Sequence, residues 1–230
     1  DSPTQIFSTI SKVQREYHID PDRIFVVGQS MGGHLSWRSA MTFTDRWAGV
    51  SPQSGGYTDY ITTRQIENIY GLVGYGTWGT TEPYGLTQTN QTLKAWLSGQ
   101  RFPWVMVQKS GGHEIYADEQ PKIAMLFSSQ RRNLHASKVY LRSAGAMKYT
   151  GNWAGQTDVI SPNKVHRWNR KRWLEVTPRP TSTDELAVWG EVKSGNRIEL
   201  TTDKVRQLRV YLHPAMGIDF SRPLTIVVNG

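Results

Sequence analysis

Cysteine is absent from the 230 residues, so disulfides and thiolate metal sites are excluded, while the compartment stays undecided. No apolar run approaches the roughly 18 to 20 residues of a membrane-spanning helix. There is no H-x-x-x-H spacing or carboxylate cluster to suggest a metal site, and no base-reading motif to make nucleic acid a partner. Internal repeats and low-complexity tracts are missing too. The chain opens on Asp1 with neither a methionine nor an apolar leader. A signal peptide ahead of it would lie outside this sequence.

Acidic residues are in short supply: 19 Asp and Glu stand against 27 Lys and Arg, for a formal charge of +8. A basic balance favours anionic surfaces, glycans or nucleic acid. Much of the excess sits in Lys164-Val165-His166-Arg167-Trp168-Asn169-Arg170-Lys171-Arg172-Trp173. This run reads first as a solvated strand or loop whose tryptophans pack inward. Its second reading is a site for an acidic glycan or another polyanion.

Apolar spacing organises the rest. Ile6, Ile10, Val13 and Tyr17 recur at helical intervals before the stop at Asp20-Pro21-Asp22. Strands are expected at Ile24–Gly28, Trp47–Pro52, Ile69–Gly74 and Phe102–Gln108. Helices are expected at Gly33–Met41 and Leu86–Leu97, with a turn-rich loop from Gly76 to Gly85. Alternating strands and helices argue an α/β unit with a parallel sheet covered by helices. From about Ala136 helical periodicity stops. Short strands are expected at Val139–Leu141, Trp173–Val176, Leu186–Trp189, Arg197–Leu200, Val205–Leu212 and Leu224–Val228. The expected organisation is residues 1–135 as the α/β domain and 136–230 as a small β-rich module.

Chemistry concentrates at Gly28-Gln29-Ser30-Met31-Gly32. An apolar β-branched run precedes this G-x-S-x-G and a helix-compatible segment follows, which is the strand–turn–helix context of a nucleophile elbow. The serine would sit on a strained turn with its hydroxyl exposed and the Met31 N–H facing an oxyanion. Gly28 and Gly32 are expected to be needed because side chains there would collide with neighbouring elements. A serine nucleophile needs a base and a carboxylate to orient that base. Of six histidines, His113 directly follows a strand and lies in Ser110-Gly111-Gly112-His113, which makes it the candidate base. His34, one turn into the elbow helix, is expected to pack or cap. His18, His135, His166 and His213 carry no motif.

The run Tyr17-His18-Ile19-Asp20-Pro21-Asp22-Arg23-Ile24 through Gly33, with Ser110-Gly111-Gly112-His113-Glu114, resembles secreted bacterial α/β-hydrolases of the prolyl-oligopeptidase-like group. Polyhydroxybutyrate depolymerases, feruloyl esterases and acetyl-xylan esterases share the pattern. The resemblance covers about Ser2 to Leu134. It implies a partial α/β-hydrolase fold, a secreted or periplasmic location, an ester or peptide substrate, and chemistry that needs no cofactor or metal. The tail from Asp219 to Gly230 is similar to a β-rich extension on some of these hydrolases.

Two departures from the family pattern stand out. Members place the triad acid in a loop of the form G-x-x-D-x-x-x-P-Y. Here Gly76-Thr77-Trp78-Gly79-Thr80-Thr81-Glu82-Pro83-Tyr84 puts Gly79 at the aspartate position. Glu82 could reach in from the same loop, Asp59 lies beyond the preceding strand, and Asp118 follows His113 and breaks the usual order. The second departure is that 23 residues precede Ile24, too few for the strands and the oxyanion loop that normally come first. The expectation is either a fragment of a longer protein, the reading favoured, or a truncated fold, with the nucleophile strand at an unpaired edge and Met31 as the oxyanion donor that can be named.

Two functions follow. The first is a serine esterase, or a peptidase, working through an acyl-enzyme on Ser30. The second is a decayed hydrolase scaffold that binds an acidic glycan, motivated by Gly79.

Overall fold

A computed structural model describes residues 3–62, 64–143, 169–177 and 185–230. Lys164 to Trp168 of the basic run lie outside them, and so does His166. Contacts divide the chain into Asp20–Leu134 and a second unit made of residues 1–19 with 135–230. Helix α1 (Pro3–Glu16) groups with the second. Among the described residues no helix is long and apolar enough to cross a membrane.

The first unit alternates as the periodicity requires. In chain order it contains β1 (Phe25–Gln29), α2 (Met31–Thr42), β2 (Gly49–Gln53), α3 (Asp59–Thr62), β3 (Val73–Gly79), α4 (Leu86–Gly99), β4 (Trp104–Lys109) and α5 (Gln120–Ser128). The four strands form a parallel sheet in the order β1-β2-β3-β4. Among the described residues the outer edge of β1 pairs with no strand, and Val27 in its middle is 52% exposed.

Two kinds of aromatic packing hold the layers. Trp37 of α2 stacks on Trp104 of β4 at 4.6 Å. The neighbouring strand makes room at Gly74, where a Cβ would stand 2.3 Å from the Trp104 ring. On the α5 side, Phe127 stacks on Phe25 at 4.7 Å beside Tyr75 and Ile123. Truncating a buried ring of this kind typically costs about 3–5 kcal/mol.

The third strand departs from expectation. It begins at Val73 rather than at Ile69 and runs to Gly79, into the first part of the segment that reads as loop. Ile66 and Ile69 instead fill the core from a single 3₁₀ turn, Gln65–Ile69. The three glycines of β3 lower its intrinsic strand signal, but Trp104 and Met106 of β4 lie over Gly74 and Gly76, and the loop after β4 lies over Gly79. Helix α5 is a further element that the apolar spacing does not announce.

The second unit is built from β5 (Lys138–Ser143), β6 (Arg170–Lys171), β7 (Leu174–Thr177), β8 (Leu186–Lys193), β9 (Arg197–Asp203), β10 (Gln207–Val210) and β11 (Thr225–Val228). They form two sheets, β10-β7-β6 and β11-β9-β8-β5. Alternate residues of both meet in one core that contains Val139, Leu141, Trp173, Leu174, Val188, Ile198 and Leu200. The described end of the basic run therefore packs inward. Trp173 is buried, with its indole N–H donating to the Ala136 carbonyl at 2.8 Å, and Arg170 lies 3.9 Å over the Tyr211 ring. An α/β unit with a parallel sheet and flanking helices, followed by a β-rich module, is the architecture the sequence implies.

Candidate active site

Ser30 joins β1 to α2 with φ 58° and ψ −116°, a region that costs a non-glycine residue roughly 1–3 kcal/mol. The surrounding chain over-determines it. The Ser30 N–H donates to the Gln53 carbonyl at 2.9 Å, and its carbonyl accepts from the His34 N–H at 3.0 Å. A serine in this position usually caps its helix with its hydroxyl, but Ser30 makes no such bond. Its Oγ is turned instead to His113 Nε2, 2.6 Å away.

The glycines of the elbow divide differently from expectation. At Gly28 a Cβ would lie 2.3 Å from the Gly32 carbonyl oxygen, so that glycine is required. At Gly32 a Cβ would meet nothing within 4 Å. The second obligatory glycine is Gly33, whose Cβ would stand 2.4 Å from the Gln53 carbonyl oxygen. Close approach of α2 to the end of β2 puts the steric demand one residue further along.

His113 lies on the loop after β4, at the carboxyl edge of the parallel sheet. Its Nδ1 stands 2.5 Å from Glu82 Oε2, so with Nδ1 protonated, Nε2 is free to accept from the serine hydroxyl. Both ring nitrogens are thereby occupied, and neither Asp59 nor Asp118 faces the ring. Asp118 pairs with Lys109 at 2.5 Å, while Asp59 opens α3. Glu82 has no exposed side-chain surface, whereas His113 is 29% exposed.

Burial of a carboxylate demands partners. Glu82 Oε1 accepts from Ser54 Oγ at 2.6 Å and from the Gly79 N–H at 2.9 Å. Thr87 braces the turn, accepting from the Glu82 N–H at 3.1 Å and donating to the Gly79 carbonyl at 2.9 Å. Gly79 itself has no room for a side chain. A Cβ there would sit 2.3 Å and 2.4 Å from the carbonyl oxygens of Gly112 and Gly111. The same contact that brings the histidine loop against β3 bars an aspartate from that position.

The histidine loop is held at several points. Tyr116 donates its hydroxyl to the Gly112 carbonyl at 2.7 Å, and Thr81 donates to the Gly111 carbonyl at 2.8 Å. At its base, buried Glu119 accepts from Tyr75, Lys109 and Lys122. The Lys122 and Tyr75 hydrogen bonds pull that carboxyl down to about 2 against the opposing effect of burial.

His34 packs and caps. Its Nδ1 accepts the Gly56 N–H at 2.9 Å, and its ring stacks on Tyr57 at 4.2 Å. Burial pushes its pKa down to about 4, assisted by His113 and Arg38. His135 and His213 stack on each other at 4.0 Å in the β-rich unit. Met31 begins α2, and as the first helical residue its N–H has no acceptor within the helix. Ser54 and Thr87, which surround Glu82, carry no motif in the sequence.

No family model matches this sequence, and no curated protein matches it. Solved structures do. A thermostable esterase aligns at 20% identity and TM-score 0.47 over 56% of this chain and 36% of that one. S-formylglutathione hydrolase FrmB from Staphylococcus aureus aligns at 18% identity and TM-score 0.43, over 54% of this chain and 57% of that one. SOBER1 from Arabidopsis thaliana aligns at 20% identity and TM-score 0.44, over 54% of this chain and 60% of that one. This chain covers less than two thirds of the length of each, and the likeness concerns the fold alone.

Proposed function

We propose that this chain is a serine hydrolase that cleaves a carboxylic ester through an acyl-enzyme. One observation carries the reading: Ser30 Oγ, His113 and Glu82 form a continuous hydrogen-bonded chain with contacts of 2.6 Å and 2.5 Å. His113 Nε2 takes the Ser30 proton as Oγ bonds to the ester carbonyl carbon. The carbonyl oxygen becomes an oxyanion, held by the Met31 N–H at the head of α2. The protonated imidazole then gives its proton to the departing alkoxide, leaving an acyl group on Ser30 and an alcohol. In the second half His113 deprotonates water, which attacks the acyl carbon and releases the acid and Ser30. Buried Glu82 holds the imidazole in the required tautomer and balances its transient charge.

An ester is favoured over a peptide by resemblance to secreted depolymerases and feruloyl or acetyl-xylan esterases, and the same resemblance supports a secreted or periplasmic setting. The decayed-scaffold alternative rested on Gly79. Glu82 beside His113 removes that motive, and the polyanion reading keeps only the basic charge of the sequence.

The test is labelling with a fluorophosphonate probe, mapped by mass spectrometry. An adduct on Ser30, absent from Ser30→Ala, is expected. A folded sample that takes up no probe would sink the assignment. Comparing short p-nitrophenyl esters with feruloyl and hydroxybutyrate esters then separates the acyl groups.

A further inference from the structure

The last residue of β2 and the first residue after it grip both ends of the Ser–His–Glu chain. Through its main chain, the Gln53 carbonyl takes the Ser30 N–H at 2.9 Å. Through a side chain, the next residue, Ser54, donates its hydroxyl to Glu82 Oε1 at 2.6 Å. Ser54 is fully buried and stands at φ 47°, a backbone region where glycine or asparagine is the ordinary occupant. A serine kept there against that preference has a use for its hydroxyl. Glycines occupy the next two positions, Gly55 and Gly56, so the chain supplies unhindered residues beside the one that bears a side chain.

We propose that Ser54 is the positioning residue for the acid. It holds Glu82 Oε1, together with the Gly79 N–H, so that Oε2 is left aimed at His113. This rests on the reading of Ser30, His113 and Glu82 as catalytic machinery and adds a residue to it. The need arises from Gly79. Because no side chain fits at that position, the carboxylate arrives from a turn residue three places on, through a longer side chain with an extra rotatable bond. A fixed donor on the far oxygen removes that freedom. Serine is suited to the task because its hydroxyl donates to a carboxylate without adding a charge to a site already holding one.

The experiment is proton NMR of the His113 Nδ1–H, which resonates far downfield when shared with a buried carboxylate, followed by fluorophosphonate labelling kinetics. Wild type is expected to show this signal and Glu82→Gln to lose it. Ser54→Ala and Ser54→Gly should both move or broaden it. The glycine variant relaxes the backbone, so a purely conformational role would leave it like wild type. Each substitution should slow labelling by about 10- to 100-fold, the loss of one hydrogen bond to a charged group. The same substitutions made in a Glu82→Gln background should change nothing further. A downfield proton absent from wild type, or unmoved in both Ser54 variants, overturns the proposal. So does equal slowing in the two backgrounds. If Ser30 takes no label while the proton still depends on Ser54, the hydrolase reading fails and the positioning role stands.

Discussion

Two turns at the carboxyl edge of the sheet, one carrying Ser30 and one carrying Glu82, address the same imidazole from opposite sides. The serine turn is nearly self-contained. Its strain, its required Gly28 and the helix that follows all lie within a few residues, with one carbonyl borrowed from Gln53. The acid turn is assembled from elsewhere. Its shape depends on Ser54, on Thr87, and on the carbonyls of Gly111 and Gly112 that exclude a side chain at Gly79. A nucleophile needs a particular backbone conformation, which local sequence can encode. An orienting carboxylate needs only to arrive at the right distance, and several chain routes can bring it there.

Three substitutions at the two turns put that contrast to the test. Ser30→Ala should abolish ester hydrolysis and fluorophosphonate uptake altogether, as measured by turnover and adduct mass. Glu82→Gln should retain the fold and lower turnover by about 10⁴-fold, the usual scale for losing the orienting acid. Adding Gly79→Asp to that variant should not restore activity, since the collision with the histidine loop remains. Rescue by the added aspartate would show that the acid turn is as adaptable as family patterns assume.

His34 tests the serine side through pH. The folded chain holds it neutral down to about pH 4, whereas the unfolded chain protonates near 6.5. The unfolded state therefore binds the proton first, and stability falls as pH drops through that window. Its contribution is present above 6.5 and amounts to roughly 3 kcal/mol lost at the acid end. Urea unfolding at pH 7 and pH 4 should show that loss in wild type and a smaller one in His34→Asn.

The glycines give the smallest effects and the sharpest local contrast. Gly33→Ala should destabilise by about 1–3 kcal/mol, because its Cβ meets a backbone carbonyl. Gly32→Ala, with open space around it, should be neutral or stabilising by a few tenths of a kcal/mol. Equal losses at both positions, read from urea midpoints, would return the steric demand to the place the G-x-S-x-G pattern assigns it.

Legibility followed the range of the interactions. Strands β1, β2 and β4, helices α2 and α4, and the strands of the second unit other than β6 lie within a few residues of where alternation and apolar spacing put them. The apolar run Ile69–Gly74 puts β3 too early, because its glycines carry little strand signal and are needed only once Trp104 and the histidine loop lie against them. Glu82 is visible in the sequence as one of three carboxylates; chain order ranks it over Asp118, but only the folded distances to His113 separate it from Asp59. Ser54 was a loop residue like many others until a carboxylate stood beside it.

The elbow and the alternation that builds a parallel sheet are written in the order of residues, because backbone strain and hydrophobic period act over neighbouring positions. Which carboxylate faces His113, which glycines are obligatory and what holds the acid in place are settled only by folding. Those choices depend on distances between parts of the chain 31 and 83 residues apart. Such distances exist only after the strands have paired and the loops at their ends have been brought together.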